Sequence, residues 1–513
     1  MGYQQLAASS ITIFHEGLVA SSTTVFTRDS SPRPLRYAQR LFSFQPGVFA
    51  LSSIDLTAAS SPVQTRRLAN GMTVLWQPMP WLRTAAYTFW MPGGVTAELD
   101  GIDEDEEADA RCGLSALTVE MVQRGAGAYN SRQFVAAEDN LGITSNGAAS
   151  TSMTGFSAAM PADSLVPAIG LLADQVRRPH LPIDQFEDAK LMLRQEMLAN
   201  QDEPTQRLMR RLRQRQYGRA LGRSAVASEL SLESLSMEHV REFYLEQYHA
   251  GSSILSIAGN FDEAAVCDAV DAAFGDWKTG SWGGLPAAEP IDGHEHIELP
   301  SSQTHIGFSY DNIPYGHPDY FIMRAGVGIL SDGMSSRLFD RVREQHGLCY
   351  SVWASTHSIA SSTDREGNAV PATAAVFGYA GTTPQRAQQT LDLTIHEVQH
   401  LCDDLSEDEL ERWKVRIQSS LIMEQESAGS RAGSMASDQF QLGRVMPTEE
   451  LEAAIESIQL DQIKQYFQAH TPQSFRIVTI GSEPLAGGSV WSETNEAPGR
   501  GTAPALSTGD NDE

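Results

Sequence analysis

Residues 63–80 read VQTRRLANGMTVLWQPMP. The Asn70-Gly71 pair separates two runs of β-forming residues, the signature of a hairpin with a tight turn. The ordered chain starts here, near Val63. Downstream, RTAAYTFWMPGG (83–94) is a further strand stopped by Pro-Gly-Gly, and Asp100 to Asp109 is an acidic, solvated loop. Leu114, Leu117 and Met121 put a helix over 113–123. A strand at 152–161 follows, then helices at 165–178, 184–200, 205–217 and 236–248, a strand at 252–261 and a helix closing at Trp277. From Thr304 the same order recurs, ending in the strand SFRIVTIGSE (474–483). A strand-and-helix unit that occurs twice specifies an α+β chain with two homologous α/β-sandwich halves, each a mainly antiparallel sheet flanked by helices. The expected organisation is an N-terminal extension (1–62), a first half (63–278), a Gly/Pro-rich linker (279–293), a second half (294–483) and a disordered tail (484–513).

The 513 residues carry 65 acidic against 37 basic side chains, a net charge of −28. Such a surface repels phosphate backbones, which excludes nucleic acid as a partner. No apolar run approaches the length of a membrane span. Four cysteines, Cys112, Cys267, Cys349 and Cys402, lack a CxxC pair and read as reduced thiols. Residues 1–50 lack a secretory signal. They are Ser/Thr-rich with four arginines against two acids, a composition that fits an organellar transit segment or a poorly ordered extension. A cytoplasmic location is the expectation.

The strings RRLANGMTVL (66–75), PGGVTAE (92–98), GLSALTVEMVQRG (113–125), YHAGSSILSIAGNFD (248–262), SSRLFDRVREQHGLCYSV (335–352) and LSEDELERWK (405–414) occur in this order. Together they resemble the insulinase/pitrilysin family of inverzincin zinc peptidases, including its processing peptidases and the related core subunits of respiratory complexes. The resemblance spans roughly residues 64 to 483. It implies a helix bearing H-x-x-E-H, in which two histidines bind zinc, the glutamate activates water and a distant glutamate completes the site. Here Ala116 stands at the first histidine position, Val119 at the general base and Glu120 at the second histidine. The distant ligand position falls on Glu196, and a supporting acid position on Ala189. Two carboxylates without an imidazole make a poor tetrahedral zinc site, and valine takes no proton from water. No metal is expected on this chain.

The second half carries Arg343 and Tyr350, seven apart, matching a pair that the family places across its chamber from the metal. A guanidinium and a phenol can both donate to a peptide carbonyl or a developing oxyanion. Some members of the family divide the metal motif and the Arg/Tyr pair between two homologous chains. The expectation is therefore a metal-free subunit that binds peptide or unfolded polypeptide and complements a zinc-bearing homologue, predicted inactive on its own. A scaffold subunit without peptide chemistry is the alternative. A third reading comes from the residues alone: His396-Glu397-Val398-Gln399-His400 spells H-E-x-x-H, with Glu409, Glu411 and Glu424 as candidate third ligands. Against it, Leu391, Ile395, Val398 and Cys402 form that helix's apolar stripe, which leaves the histidines on a solvated flank. His294-Glu295-His296 reads as solvated loop.

Overall fold

The computed structural model describes residues 61–487, apart from 100–101, 103–104 and 364–367; the expected N-terminal extension, transit segment or not, and most of the tail lie outside the described residues. The chain is mixed α and β, in two halves of sheet plus helices.

The first sheet has six strands in the order Gln64–Arg67, Thr73–Pro78, Ile254–Gly259, Thr84–Pro92, Met153–Pro161, Thr144–Ala149. Only Thr73–Pro78 and Ile254–Gly259 run parallel. The hairpin forms around Asn70-Gly71, with Gly71 at φ 95°, where side chains are disfavoured. Asn70 Nδ2 donates to the carbonyl of Phe274 at 2.7 Å, tying the turn to the end of the first half's last helix.

The second sheet has five strands in the order Cys349–Ile359, Thr373–Thr382, Thr304–Asn312, Arg476–Gly481, Gly293–Glu298, with only the last pair parallel.

Both central strands are buried on both faces, because each sheet is covered twice. On one face lie the helices of its own half: Val74, Phe89 and Met91 pack with Leu117, Val240 and Val270 in the first, and Ile306, Phe308 and Ile477 with Leu391, Trp413 and Ile463 in the second. The opposite face takes a helix from the other half. Helix Pro204–Leu221 sets Leu208, Leu212 and Tyr217 against Phe377, Tyr379, Val478 and Ile480. Helix Ala428–Leu442 sets Ala432, Met435 and Ala436 against Leu75, Met79, Ile254 and Ala258. A Cβ on Gly307 would lie 2.3 Å from Leu208 Cδ2, so a side chain there would force Leu208 to move from its place on the sheet.

Polar ties accompany the exchange. Arg431 Nε donates to Gln77 Oε1 at 2.5 Å, and Tyr217 Oη lies 2.7 Å from Nδ1 of half-buried His357. Burial, reinforced by Arg213, holds that imidazole well below its ordinary pKa and hence neutral.

Several elements depart from the sequence reading. Helices Ser131–Leu141 and Ala428–Leu442 and strand Thr144–Ala149 were not anticipated, and Asp105–Ala110, within the stretch expected as solvated loop, is helical. His294-Glu295-His296 is likewise strand and not loop: the two-residue period brings both imidazoles to one face, 3.0 and 2.9 Å from Thr479 Oγ1.

Two predictions follow from this packing. Leu208→Ala should cost about 2–5 kcal/mol, the range for a buried leucine whose cavity cannot collapse. Exposed Leu191→Ala should stay within about 0.5 kcal/mol; urea unfolding compares the two. The second concerns Asp438, which accepts from Tyr315 Oη at 3.1 Å and from the Met446 amide at 2.9 Å. Burial pushes its carboxyl up to about 6, against the pull of those donors and of Arg431, with Glu424 raising it further. Its folded pKa thus exceeds the unfolded value, so its stabilisation is complete below about pH 4 and is lost as pH rises through 6. The stability gained by Asp438→Asn over the unmodified chain should grow across that window and level off above it, reaching at most about 3 kcal/mol.

Candidate functional site

Helix Leu114–Val122 starts from Gly113, whose φ of 85° turns the chain onto the helix axis. Its N-terminus is closed by a residue from a preceding turn. Glu98, only 1% exposed, accepts from the Ser115 amide (3.0 Å), Ser115 Oγ (2.6 Å) and the Gly113 amide (3.3 Å). Arg223 Nε reaches the same carboxylate at 3.0 Å, and its Nη2 donates to the carbonyl of Ala108. A buried anion at a helix N-terminus is favoured by the free amides and the helix dipole. In the sequence this role is signalled only by an acid, Glu98 in PGGVTAE, shortly before a buried helix start.

Along the helix, Ala116 packs half-buried on the core, and Val119 is 3% exposed. A Cβ on Gly147, in the edge strand Thr144–Ala149, would lie 3.1 Å from Val119 Cγ1, so valine fills the space between helix and sheet edge. Glu120 is held by Arg124 one turn on, at 2.7 Å. On helix Phe186–Asp202, Ala189 is fully buried and Glu196 lies on the exposed side. Loss of solvation pushes the Glu196 carboxyl above its ordinary value, opposed by Arg210. Among the described residues, no group of three or more His, Cys, Asp or Glu side chains is placed to share a metal ion. One free carboxylate, one ion-paired carboxylate and two apolar side chains do not fit zinc.

Arg343 and Tyr350 do come together. Residues Leu338–Gln345 wind as a π-helix, which carries Arg343 between two rings, 4.5 Å from that of Phe339 and 5.0 Å from that of Tyr350. Stacking of this kind fixes the guanidinium plane while leaving its edge free to donate. Its Nε also lies 3.5 Å from the Glu344 carboxylate. Tyr350 sits in a β-bulge: Cys349 pairs with Thr382 and Ser351 with Gly381, which leaves Tyr350 without an opposite residue. A bulge re-aims a side chain, and this one is 79% exposed at the free edge of the second sheet.

The H-E-x-x-H segment is arranged differently. The stripe Leu391, Ile395, Val398 and Cys402 is buried as expected, and the His396 and His400 rings lie 4.2 Å apart. Glu397, however, is buried and bound to Arg341 at 2.9 Å, so it does not lie on a solvated flank. Arg341 also pairs with Asp404, which with Glu409 holds Arg337 at 2.6 and 2.7 Å. His400 is held by Asp403 at 2.8 Å. The candidate third ligands are engaged elsewhere: Glu409 with Arg337, Glu411 with Lys414 and Glu424 beside Arg431. A zincin needs that glutamate free to polarise water, and here it is a structural ion-pair partner.

The family model for insulinase (peptidase family M16) matches residues 105–228, and that for the peptidase M16 inactive domain matches residues 234–416. An uncharacterized zinc protease of Rickettsia felis is 24% identical over 400 residues, covering 77% of this chain and 92% of that protein. Among solved structures, the peptidase M16 inactive domain from Pseudomonas fluorescens superimposes with a TM-score of 0.71 at 21% identity, over 84% of this chain and 100% of that one. A chain of complex III2 from Candida albicans does so with a TM-score of 0.64 at 16% identity, over 82% and 96%.

The Glu98–Arg223 pair yields a prediction for the degenerate helix. Glu98→Ala strands a buried guanidinium and frees two helix amides, so it should destabilise by about 3–5 kcal/mol. Glu98→Gln, which keeps an acceptor for Ser115, should cost less. Circular dichroism melts of the two variants provide the comparison.

Proposed function

The chain belongs to the insulinase (peptidase M16) family, and from that premise we propose that it is the metal-free subunit of a two-chain metallopeptidase. It binds peptide or unfolded polypeptide and contributes one wall of the chamber, while a homologous zinc-bearing subunit performs hydrolysis. One contrast carries this reading. The helix that would hold the metal offers Ala116, Val119 and an ion-paired Glu120, whereas Arg343 and Tyr350 are together, oriented and open.

Physical features of both halves suit an extended ligand. Thr144–Ala149 and Cys349–Ile359 are sheet-edge strands with one side unpaired. An unpaired edge accepts an extended segment through main-chain hydrogen bonds, with no demand on its sequence. The first edge abuts Val119 and the second carries Tyr350. Peptide bound at the second edge would meet a guanidinium and a phenol able to donate to its carbonyls. The chain's own residues thus orient substrate, and none of them takes a proton from water.

A scaffold role is the second reading, favoured by the likeness in fold to a chain of complex III2. The two differ in what Arg343 does. The purified chain should bind no stoichiometric zinc and leave a quenched unstructured peptide intact. Mixed with a zinc-bearing homologue, it should support cleavage. Arg343→Ala should then lower kcat/KM of the mixture about tenfold or more, and Tyr350→Phe should act in the same direction. Unchanged activity in both variants would leave the scaffold reading standing. Chelator-sensitive cleavage by this chain alone would overturn the metal-free reading.

A further inference from the structure

Helix Pro204–Leu221 carries six arginines in a chain of net charge −28. Four have partners. Arg211 and Arg215 hold Glu295 at 2.6 and 3.0 Å, Arg219 holds Asp109 at 3.0 Å, and Arg213 bonds the ring of His357. Arg207 and Arg210, one turn apart, make no side-chain hydrogen bond or ion pair among the described residues. The Nη2 of Arg210 is moreover buried without an acceptor.

Such an arrangement is costly. Guanidinium groups do not deprotonate, so two of them at this spacing repel each other. A buried donor without an acceptor adds a desolvation penalty. Among the described residues, no group facing Arg210 makes a direct hydrogen bond or ion pair with it. Glu196 lies within electrostatic reach but not at ion-pair distance, and Cys112 is a neutral thiol, pushed up to about 11 mainly by burial, whose Sγ lies 3.3 Å from the Val226 carbonyl. Helix Pro204–Leu221 packs against Phe186–Asp202 and touches the turn Val95–Leu99, and both of these also pack against helix Leu114–Val122.

We propose that Arg210, assisted by Arg207, is an anchor for a carboxylate of the bound peptide, either its C-terminus or an acidic side chain. A carboxylate accepts from a guanidinium fork in a bidentate pair and would give Nη2 the acceptor it lacks. This assignment rests on the peptide-binding reading and adds to it a preference for acidic or free C-terminal ligands.

The test uses fluorescence anisotropy on the full chain with four forms of one dye-labelled unstructured peptide: free acid or amide at the C-terminus, each with or without one internal glutamate. Removing the recognised carboxylate should weaken binding about tenfold, and the arm that responds identifies its source. Arg210→Gln should abolish the difference, Arg210→Lys should retain part of it, Arg207→Gln should reduce it, and exposed Arg241→Gln should leave it intact. A thermal shift with citrate gives a readout independent of peptide: citrate should stabilise the unmodified chain and not Arg210→Gln. Citrate stabilisation through Arg210 without binding of any peptide form would keep the carboxylate site and sink the peptide-binding reading. Equal binding of all four peptides, a preference that persists in Arg210→Gln, or a citrate shift that is absent or independent of Arg210 would overturn the anchor.

Discussion

The two halves are held by an exchange of helices. Each sheet uses one face for its own core and gives the other to a helix from the opposite half: Pro204–Leu221 on the second sheet, Ala428–Leu442 on the first. The two-residue period of the strands makes this possible. Val74 points to the first half's own core and Leu75 to the incoming helix; Ile477 and Val478 divide in the same way. Neither sheet could lose its visiting helix without exposing leucine, methionine and aromatic side chains to water. The buried polar ties, Arg431 to Gln77 and Tyr217 to His357, act within an interface that apolar packing has already made dry, where leaving either partner unpaired is expensive.

That constraint shapes the candidate site. The exchanged helix Pro204–Leu221 faces the second sheet with Leu208 and Leu212, and its opposite side meets helix Phe186–Asp202. Its arginines are therefore sorted by position: those on its flanks find Glu295, Asp109 or His357, and Arg210 is left between elements. In the second half, a different ionic arrangement fixes the π-helical segment. Arg337 and Arg341 fasten it to the helices bearing Glu397 and Glu409, and Arg343, next on the same segment, turns to the rings of Phe339 and Tyr350. Glu397, the acid of the string that spells a zinc motif, thus helps to hold in place the segment that carries Arg343.

The alternating, β-branched strands and the strongly amphipathic helices were legible in the sequence, because burial on one face writes a period into the residues. The missed elements lack that period for physical reasons. Ala428–Leu442 reads AGSRAGSMASDQFQL: its packing face is Ala432, Met435 and Ala436 with Phe440 partly buried, too small a set of large apolar residues to write a clear stripe. Thr144–Ala149 reads TSNGAA, small and polar, because an edge strand has little core to fill. His294 and His296 escaped for another reason, as their strand is defined by a parallel partner nearly two hundred residues away. At the site, Ala116, Val119 and Glu120 stand out in the sequence by resemblance to the motif. The capping role of Glu98 and the engagement of Glu397 were not, because both depend on arginines distant in sequence.

The two motifs differ in what the fold itself asks of them. Val119 is buried against the sheet edge, and Ala116 packs on the same core. At such positions an ionisable side chain without a metal or a partner carries a heavy desolvation cost. Alanine and valine are therefore what stability alone selects once metal binding is absent. No comparable argument accounts for Arg343 and Tyr350. A tyrosine 79% exposed in a bulge contributes almost nothing to a core, and a guanidinium stacked on it at the surface adds about 1 kcal/mol at most. Folding explains the apolar residues at the metal positions and leaves the Arg/Tyr pair unexplained. An exposed tyrosine beside a half-buried guanidinium is what the proposed contact with peptide would ask of these two positions.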